Sequence, residues 1–170
     1  MEEKKMSAPL SYIERARAYF FELGYTTAYR WPHFTEVPFT ALKKPLSECC
    51  VTIVTTSFVE EKAEENVSKE SEIVLNGDVY KIDSHLKASE LFSRHEGYHS
   101  YATNLDDVDS FLPTTNLHAS VAEGRVGSVA PFYYNAFSTY SKKRTEQIDG
   151  PAVLKGCREQ KVDAAIVTGI

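Results

Sequence analysis

The order of apolar and polar positions predicts strands that alternate with helices. The β-branched run "CCVTIVTTSF" over residues 49–58 predicts the first central strand, and apolar runs at 126–130 and 163–168 predict two more. Helical periods at about 114–123 and 145–160 separate them. The closing stretch "VDAAIVTGI" has the composition of a strand covered on both faces. We therefore expect an α/β fold, with three layers and a mainly parallel sheet between flanking helices.

The first fifty residues predict a helix followed by an irregular arm. Ser11 and Glu14 have the spacing of a capping box, an apolar period runs over residues 11–23, and Gly24 supplies a stop. Residues 31–48 carry three prolines and are expected to be extended. We expect a single domain over 1–170, with its core in 49–170.

The middle of the chain is less regular. The charged residues 58–72 indicate a surface loop, and Asn76-Gly77 between two apolar-alternating runs predicts a β-hairpin at the edge of the sheet. A short helix over 86–93 and then a long loop are expected. Long ordered loops in compact domains tend to carry function.

Composition excludes several classes of function. A net charge of -5 argues against nucleic acid or an anionic membrane as a partner. No apolar run approaches the roughly 20 residues that span a bilayer, and the first ten residues lack a signal-peptide core. Three cysteines, Cys49, Cys50 and Cys157, without a paired spacing, favour reduced core thiols. A cytoplasmic protein is the expectation.

Candidate chemical groups concentrate in the loop that follows residue 94. His95 and His99 stand four apart, as a metal pair would on a helix, but a glycine lies between them and we expect no metal site. Asp106, Asp107 and Asp109 either bind an amine or cap the helix that begins near Pro113. Lys44 either binds a carboxylate or faces solvent. The chain has no phosphate-binding glycine motif and no nucleophile elbow, so these residues by themselves define no catalytic group.

Five motifs in order carry a resemblance to a known family. The strings "VPFTALKKPLSECCVTIVTT", "GDVYKID", "RHEGYHSYATNLDDVDSFLP", "VAEGRVGSVAP" and "GPAVLKGCREQKVDAAIVT" resemble the selenoprotein B family, the selenocysteine-containing subunits of glycine, sarcosine, betaine and D-proline reductases. The resemblance runs from about Trp31 to Ile170. It implies an oxidoreductase with a dithiol donor.

The resemblance also implies where the nucleophile belongs. In that family the last strand runs directly into a selenocysteine, or a cysteine, which here falls immediately after Ile170, next to Thr168 and Gly169. No catalytic residue is therefore expected within the chain, and we expect it to be incomplete at its C-terminus, ended by a UGA codon read as a stop. No cofactor is expected, apart from selenocysteine in the full-length form.

Substrate and partners follow from the same resemblance. The substrate is expected to be a small amine, with a pyruvoyl-bearing or thiol-reductant protein as partner and self-association as a further option. The residues expected to bind substrate are His95, Tyr98, His99, Asp107 and Asp109. This loop departs from the family pattern at His99 and at Asp107-Val108-Asp109, so no particular substrate is indicated. The alternative is a catalytically silent module that binds a small molecule or a metal.

Overall fold

The computed structural model describes residues 11–27, 35–37, 40–62, 77–98, 100–101, 103–138 and 141–169. The chain divides into two compact units, residues 1–40 and residues 41–170. The prediction of one domain over 1–170 stays a prediction.

In the first unit, helix α1 spans Tyr12–Glu22, which confirms the predicted helix over 11–23. Gly24 ends it in the left-handed conformation, with φ of 89°, and donates its N–H to the carbonyl of Phe21. The expected capping box has a different form, because the Ser11 hydroxyl donates to the Glu14 carboxylate at 2.6 Å and accepts no hydrogen bond from the N–H groups of the first turn.

The main sheet of the second unit is built around strand β1, Cys50–Thr55. Strand β7, Ala164–Thr168, lies parallel to it along one edge. The other edge pairs in parallel with two short strands in succession, β5 (Ser128–Val129) and β6 (Phe132–Asn135). Strand β3, Tyr80–Asp83, is antiparallel to β6. This mixed, mainly parallel sheet with flanking helices confirms the α/β prediction.

The closing strand is correctly placed, but its predicted burial on both faces is wrong. Val167 is 76% exposed and Ile166 is 38% exposed. Because Ile166 and Val167 point to opposite faces of the strand, neither face is fully covered by the described residues, and β7 pairs only with β1 among them.

A second, antiparallel sheet joins strand β2 (Val59–Glu61) to strand β4 (Leu91–Ser93). It corrects two predictions, since 59–61 is not loop and 86–93 is not helix: a 3-10 turn over Ala88–Glu90 leads directly into β4. The apolar residues of both segments drive the pairing, because Val59 and Leu91 are almost completely buried. The first arm of the predicted hairpin, with Asn76, lies outside the described residues, and its second arm is β3.

Helix α2, Thr114–Ala122, confirms the helix predicted over 114–123. Gly124 ends it with φ of 72°, and Gly127 then lets the chain approach β1 closely. A Cβ at Gly127 would lie 2.6 Å from the carbonyl carbon of Glu48. The glycines of "AEGRVGSVAP" therefore terminate a helix and allow close packing.

The last helix begins earlier than the predicted residue 145. One α turn, Lys142–Arg144, passes into a π-helical segment, Thr145–Asp149, which continues as helix α3, Gly150–Glu159. Helix α3 packs on the sheet through Gly156, whose missing side chain leaves room for the Tyr134 hydroxyl. Strand β6 was not predicted, because Pro131 precedes it and "FYYN" is too short to show a period.

Candidate functional site

The carboxyl ends of β1 and β7 meet a loop that crosses them. The carbonyl oxygen of Phe111 accepts a hydrogen bond from Thr168 Oγ1 at 2.6 Å and lies 3.3 Å from Thr55 Oγ1. The N–H of Thr56 donates to the carbonyl of Thr168 at 3.3 Å, which extends the pairing past β1. Gly169 follows at a place where a Cβ would lie 2.7 Å from Thr56 Oγ1. This edge of the sheet is therefore closely packed and hydroxyl-rich.

Hydrogen bonds continue from this edge into the second sheet. Thr55 Oγ1 lies 2.8 Å from Ser57 Oγ, and both residues are fully buried. The carbonyl of Ser57 accepts from Ser93 Oγ at 2.5 Å, and Ser93 Oγ accepts from the N–H of His95 at 3.1 Å. An unbroken series of contacts thus joins the end of β7 to the start of the loop after β4.

The loop after β4 borders an open cavity of about 740 Å³, a volume in the usual range for small-molecule sites. Its floor includes the buried side chains of Leu91 and Val108. The remaining lining residues are Lys62, Phe92, Ser93, Arg94, His95, Glu96, Tyr98, Ser100, Asn104, Leu105 and Asp106.

Only some of the predicted substrate residues meet here. His95 and Tyr98 line the cavity, whereas Asp107 and Asp109 do not. Asp109 Oδ1 accepts the N–H of Thr115 at 2.8 Å, in the first turn of α2, which is the capping role considered from the sequence. His99 lies outside the described residues. The role of these five residues in substrate binding stays a prediction.

The environment of His95 sets its tautomer. Its Nδ1 accepts a hydrogen bond from the N–H of Gly97 at 3.0 Å, so the proton of the neutral ring is on Nε2. His95 therefore offers a hydrogen-bond donor at Nε2.

Sequence reasoning missed the two cationic residues of the cavity. Arg94 Nε lies 2.5 Å from Glu60 Oε2, and its guanidinium stands 4.9 Å from the centre of the Phe92 ring. Lys62 Nζ donates to the carbonyl of Ser89 at 2.7 Å. Lys62 lies in the segment 58–72, which was predicted to be a surface loop. Its position beside the cavity depends on the pairing of β2 with β4, which was not predicted. Arg94 stands next to His95 in the sequence, which was the one local signal.

The three cysteines have the character of structural thiols. Cys49 is fully buried and its Sγ lies 3.3 Å from the carbonyl of Pro45. Burial raises the pKa of the Cys157 thiol above its ordinary value, so it is protonated at neutral pH. These observations favour the core role predicted for them.

An ion pair lies at the opposite, amino end of β1 and β7. Asp163 accepts from Lys44 Nζ at 2.8 Å and from the N–H of Cys50 at 2.8 Å. The hydrogen bond from Lys44 lowers the pKa of Asp163, and the same contact raises the pKa of Lys44. Lys44 therefore binds a carboxylate of its own chain.

Two kinds of feature are absent from the described ranges. They contain no group of three or more His, Cys, Asp or Glu side chains placed to hold a metal ion. They also contain no helix long and apolar enough to cross a membrane.

Comparison with known proteins gives consistent matches. A model of the family "Glycine/sarcosine/betaine reductase selenoprotein B" matches residues 20–170. The glycine reductase complex component B subunit gamma of Carboxydothermus hydrogenoformans is 27% identical over 147 residues, covering 85% of this chain and 33% of that protein. The subunit of the same name from Symbiobacterium thermophilum is 26% identical over 145 residues, covering 85% and 34%. The chain thus spans about a third of the length of these curated relatives. No solved structure gives a significant match.

Proposed function

The chain belongs to the glycine/sarcosine/betaine reductase selenoprotein B family, and from this premise we propose that it is part of a selenol- or thiol-dependent oxidoreductase. In this proposal a selenocysteine or cysteine follows Ile170 in a longer protein and acts as the nucleophile. The cavity beside β4 holds the substrate.

One observation carries the proposal. The hydrogen bonds from Thr168 through Phe111, Thr55 and Ser57 to Ser93 join the carboxyl end of β7 to the wall of the cavity. In open α/β sheets, ligands bind outside the carboxyl ends of the strands. A nucleophile placed after Gly169 would lie at the same end of the sheet as the cavity.

The local environment suits an anionic nucleophile. The groups that fix this end of the sheet are neutral hydroxyls and backbone carbonyls, so they bring no fixed negative charge against a selenolate or thiolate. If a helix follows the nucleophile, as in a strand-to-helix turn, its N-terminal dipole lowers the pKa of the nucleophile.

A partner is proposed on the names of the relatives, which are components of a glycine reductase complex. We propose that this chain also works in a multi-subunit assembly, with a dithiol protein or small dithiol as electron donor. A small amine remains the proposed substrate of this assembly, with its amino group held by a pyruvoyl-bearing partner subunit and the rest of the molecule in the cavity.

The experiment begins with the nucleotide sequence after the Ile170 codon. The proposal expects an in-frame UGA or cysteine codon followed by further coding sequence. A protein extended through this codon, with cysteine in its place, should consume dithiol when peroxide or an amine substrate is added, whereas the 170-residue chain should not. Equal activity of the two proteins, or another stop codon with no continuation, would overturn the proposal.

The second candidate is a catalytically silent module that binds a small molecule, and the size of the cavity favours it. It predicts that ligands raise the melting temperature of the 170-residue chain and that the extended protein has no dithiol-dependent activity. The activity assay therefore separates the two functions.

A further inference from the structure

The geometry points to a preference of the cavity beside β4 for a small-molecule carboxylate with an apolar body, held through Arg94. This inference rests on the proposed function in so far as the cavity is its substrate site. It differs from the expectation that Asp106, Asp107 and Asp109 bind an amine, which stays a prediction.

Of the three aspartates expected to bind an amine, only the exposed Asp106 lies in the cavity wall. Asp109 is engaged by the backbone of α2, and Asp107 is absent from the lining. Two of the three carboxylates are therefore not available to select an amine in this cavity.

Arg94 is instead held in place at the wall. Glu60, with a side chain only 9% exposed, pairs with Nε, and the Phe92 ring lies beneath the guanidinium. Among the contacts of the described residues, the pairing with Glu60 uses the Nε edge of the Arg94 guanidinium. The terminal nitrogens are left to form the two parallel bonds that arginine makes to a carboxylate. A cation fixed before the ligand arrives loses little side-chain freedom on binding.

Neighbouring side chains add neutral and cationic donors. His95 presents its Nε2–H, and Lys62 has N–H groups beyond the one given to Ser89. Asn104, whose Oδ1 already accepts the N–H of Asp106, adds the two N–H donors of its Nδ2 to the lining. Hydrogen-bond donors therefore predominate on this part of the wall.

The acidic members of the lining, Glu96 and Asp106, are both exposed. Water screens these two charges and that of the likewise exposed Arg94, so the direct hydrogen bonds from the guanidinium decide the preference. The cavity has an apolar floor that includes Leu91, Phe92 and Leu105. A purely polar ligand would leave this floor exposed to water, so a ligand with an apolar part is expected. A carboxylate on a hydrocarbon or aromatic body satisfies both parts.

Isothermal titration of the 170-residue chain with three probes of one body tests the inference. Phenylacetate carries the carboxylate, phenethylamine an ammonium and phenylacetamide a neutral amide. We expect phenylacetate to bind at least about tenfold more tightly than either of the others, and Arg94→Gln to remove that advantage. Arg94→Lys should retain part of it.

The matched control is Arg125→Gln, because Arg125 is a 64% exposed side chain paired with Glu123 outside the cavity. It should bind phenylacetate like the unchanged chain. If Arg94→Gln alone unfolds because the nearly buried Glu60 loses its arginine, the double variant Glu60→Gln with Arg94→Gln keeps a neutral pair and takes its place.

Equal or tighter binding of phenethylamine, unchanged phenylacetate affinity after loss of Arg94, or no binding of any probe would overturn the inference. These outcomes are distinct from failure of the proposed function, since the binding assay needs no nucleophile and the dithiol assay needs the extended protein.

Discussion

The two ends of the β1–β7 pair are fixed by opposite kinds of chemistry. At the amino end an exposed ion pair, Lys44 with Asp163, joins the arm to the sheet. At the carboxyl end buried or half-buried hydroxyls converge on the carbonyl of Phe111. Charge thus fixes the amino end of the pair, and neutral groups fix the carboxyl end. The end proposed to receive an anionic nucleophile is held without fixed charge.

The largest expected effect lies at the amino end. Gly127→Val places methyl groups where a Cβ alone would already lie 2.6 Å from the Glu48 carbonyl carbon. Because that neighbour is backbone, β5 must move away from β1, and we expect a loss of about 3 kcal/mol in the free energy of unfolding. Urea denaturation measures it. The matched control is Gly124→Asn, since a Cβ at Gly124 meets nothing within 4 Å and asparagine tolerates positive φ. Equal losses from both variants would contradict the packing argument.

At the carboxyl end the expected effect on stability is smaller. Thr168→Val removes the hydroxyl that donates to Phe111 and leaves the carbonyl with the more distant Thr55 hydroxyl. The expected loss is about 1 kcal/mol, together with faster amide exchange in the segment 108–112. Thr168→Ser keeps the hydroxyl and should preserve that exchange protection. Fast exchange in the serine variant as well would mean that the hydroxyl does not hold the loop.

The smallest effect is expected from the exposed ion pair, and it depends on pH. The pKa of Asp163 is lower in the folded chain than its ordinary value of about 3.9, so its contribution is present above that pH and is lost as pH falls through the folded pKa. Lys44 has a raised pKa, so its contribution is lost at the alkaline end. Asp163→Asn should lower the melting temperature slightly at pH 7 and by less at pH 2. Salt should shrink the difference. An equal deficit at both pH values would count against the ion pair as its cause.

Long, regular patterns in the sequence predicted their elements well. The helices over 11–23 and 114–123 and the strands that begin near residues 50 and 164 all occur, because each is defined by its own period or stop signal. The strands at 59–61 and 91–93 were not predicted, for the opposite reason. Each is three residues long, and each becomes a strand only through the other, a contact 30 residues away that no local pattern encodes.

The candidate site divides in the same way. His95 and Tyr98 were found because the loop is rich in polar and aromatic residues, and both line the cavity. Arg94 and Lys62 were missed because their proximity depends on the β2–β4 pairing. Asp109 illustrates a further limit. In a sequence, a carboxylate near the start of a helix is equally consistent with a ligand-binding role and a capping role, and only its hydrogen bond with the N–H of Thr115 identifies the capping role.

The central claim, that the carboxyl end of β7 is built to support an anionic nucleophile, is tested most directly by comparing two thiols in one molecule. In the extended protein with cysteine after Ile170, alkylation by iodoacetamide followed by mass spectrometry over a range of pH gives the pKa of that cysteine and of Cys157. The account predicts a pKa below the ordinary thiol value of about 8.5 for the first, and a raised pKa for Cys157, whose thiol is desolvated by burial. A pKa at or above 8.5 for the cysteine after Ile170 would contradict the account.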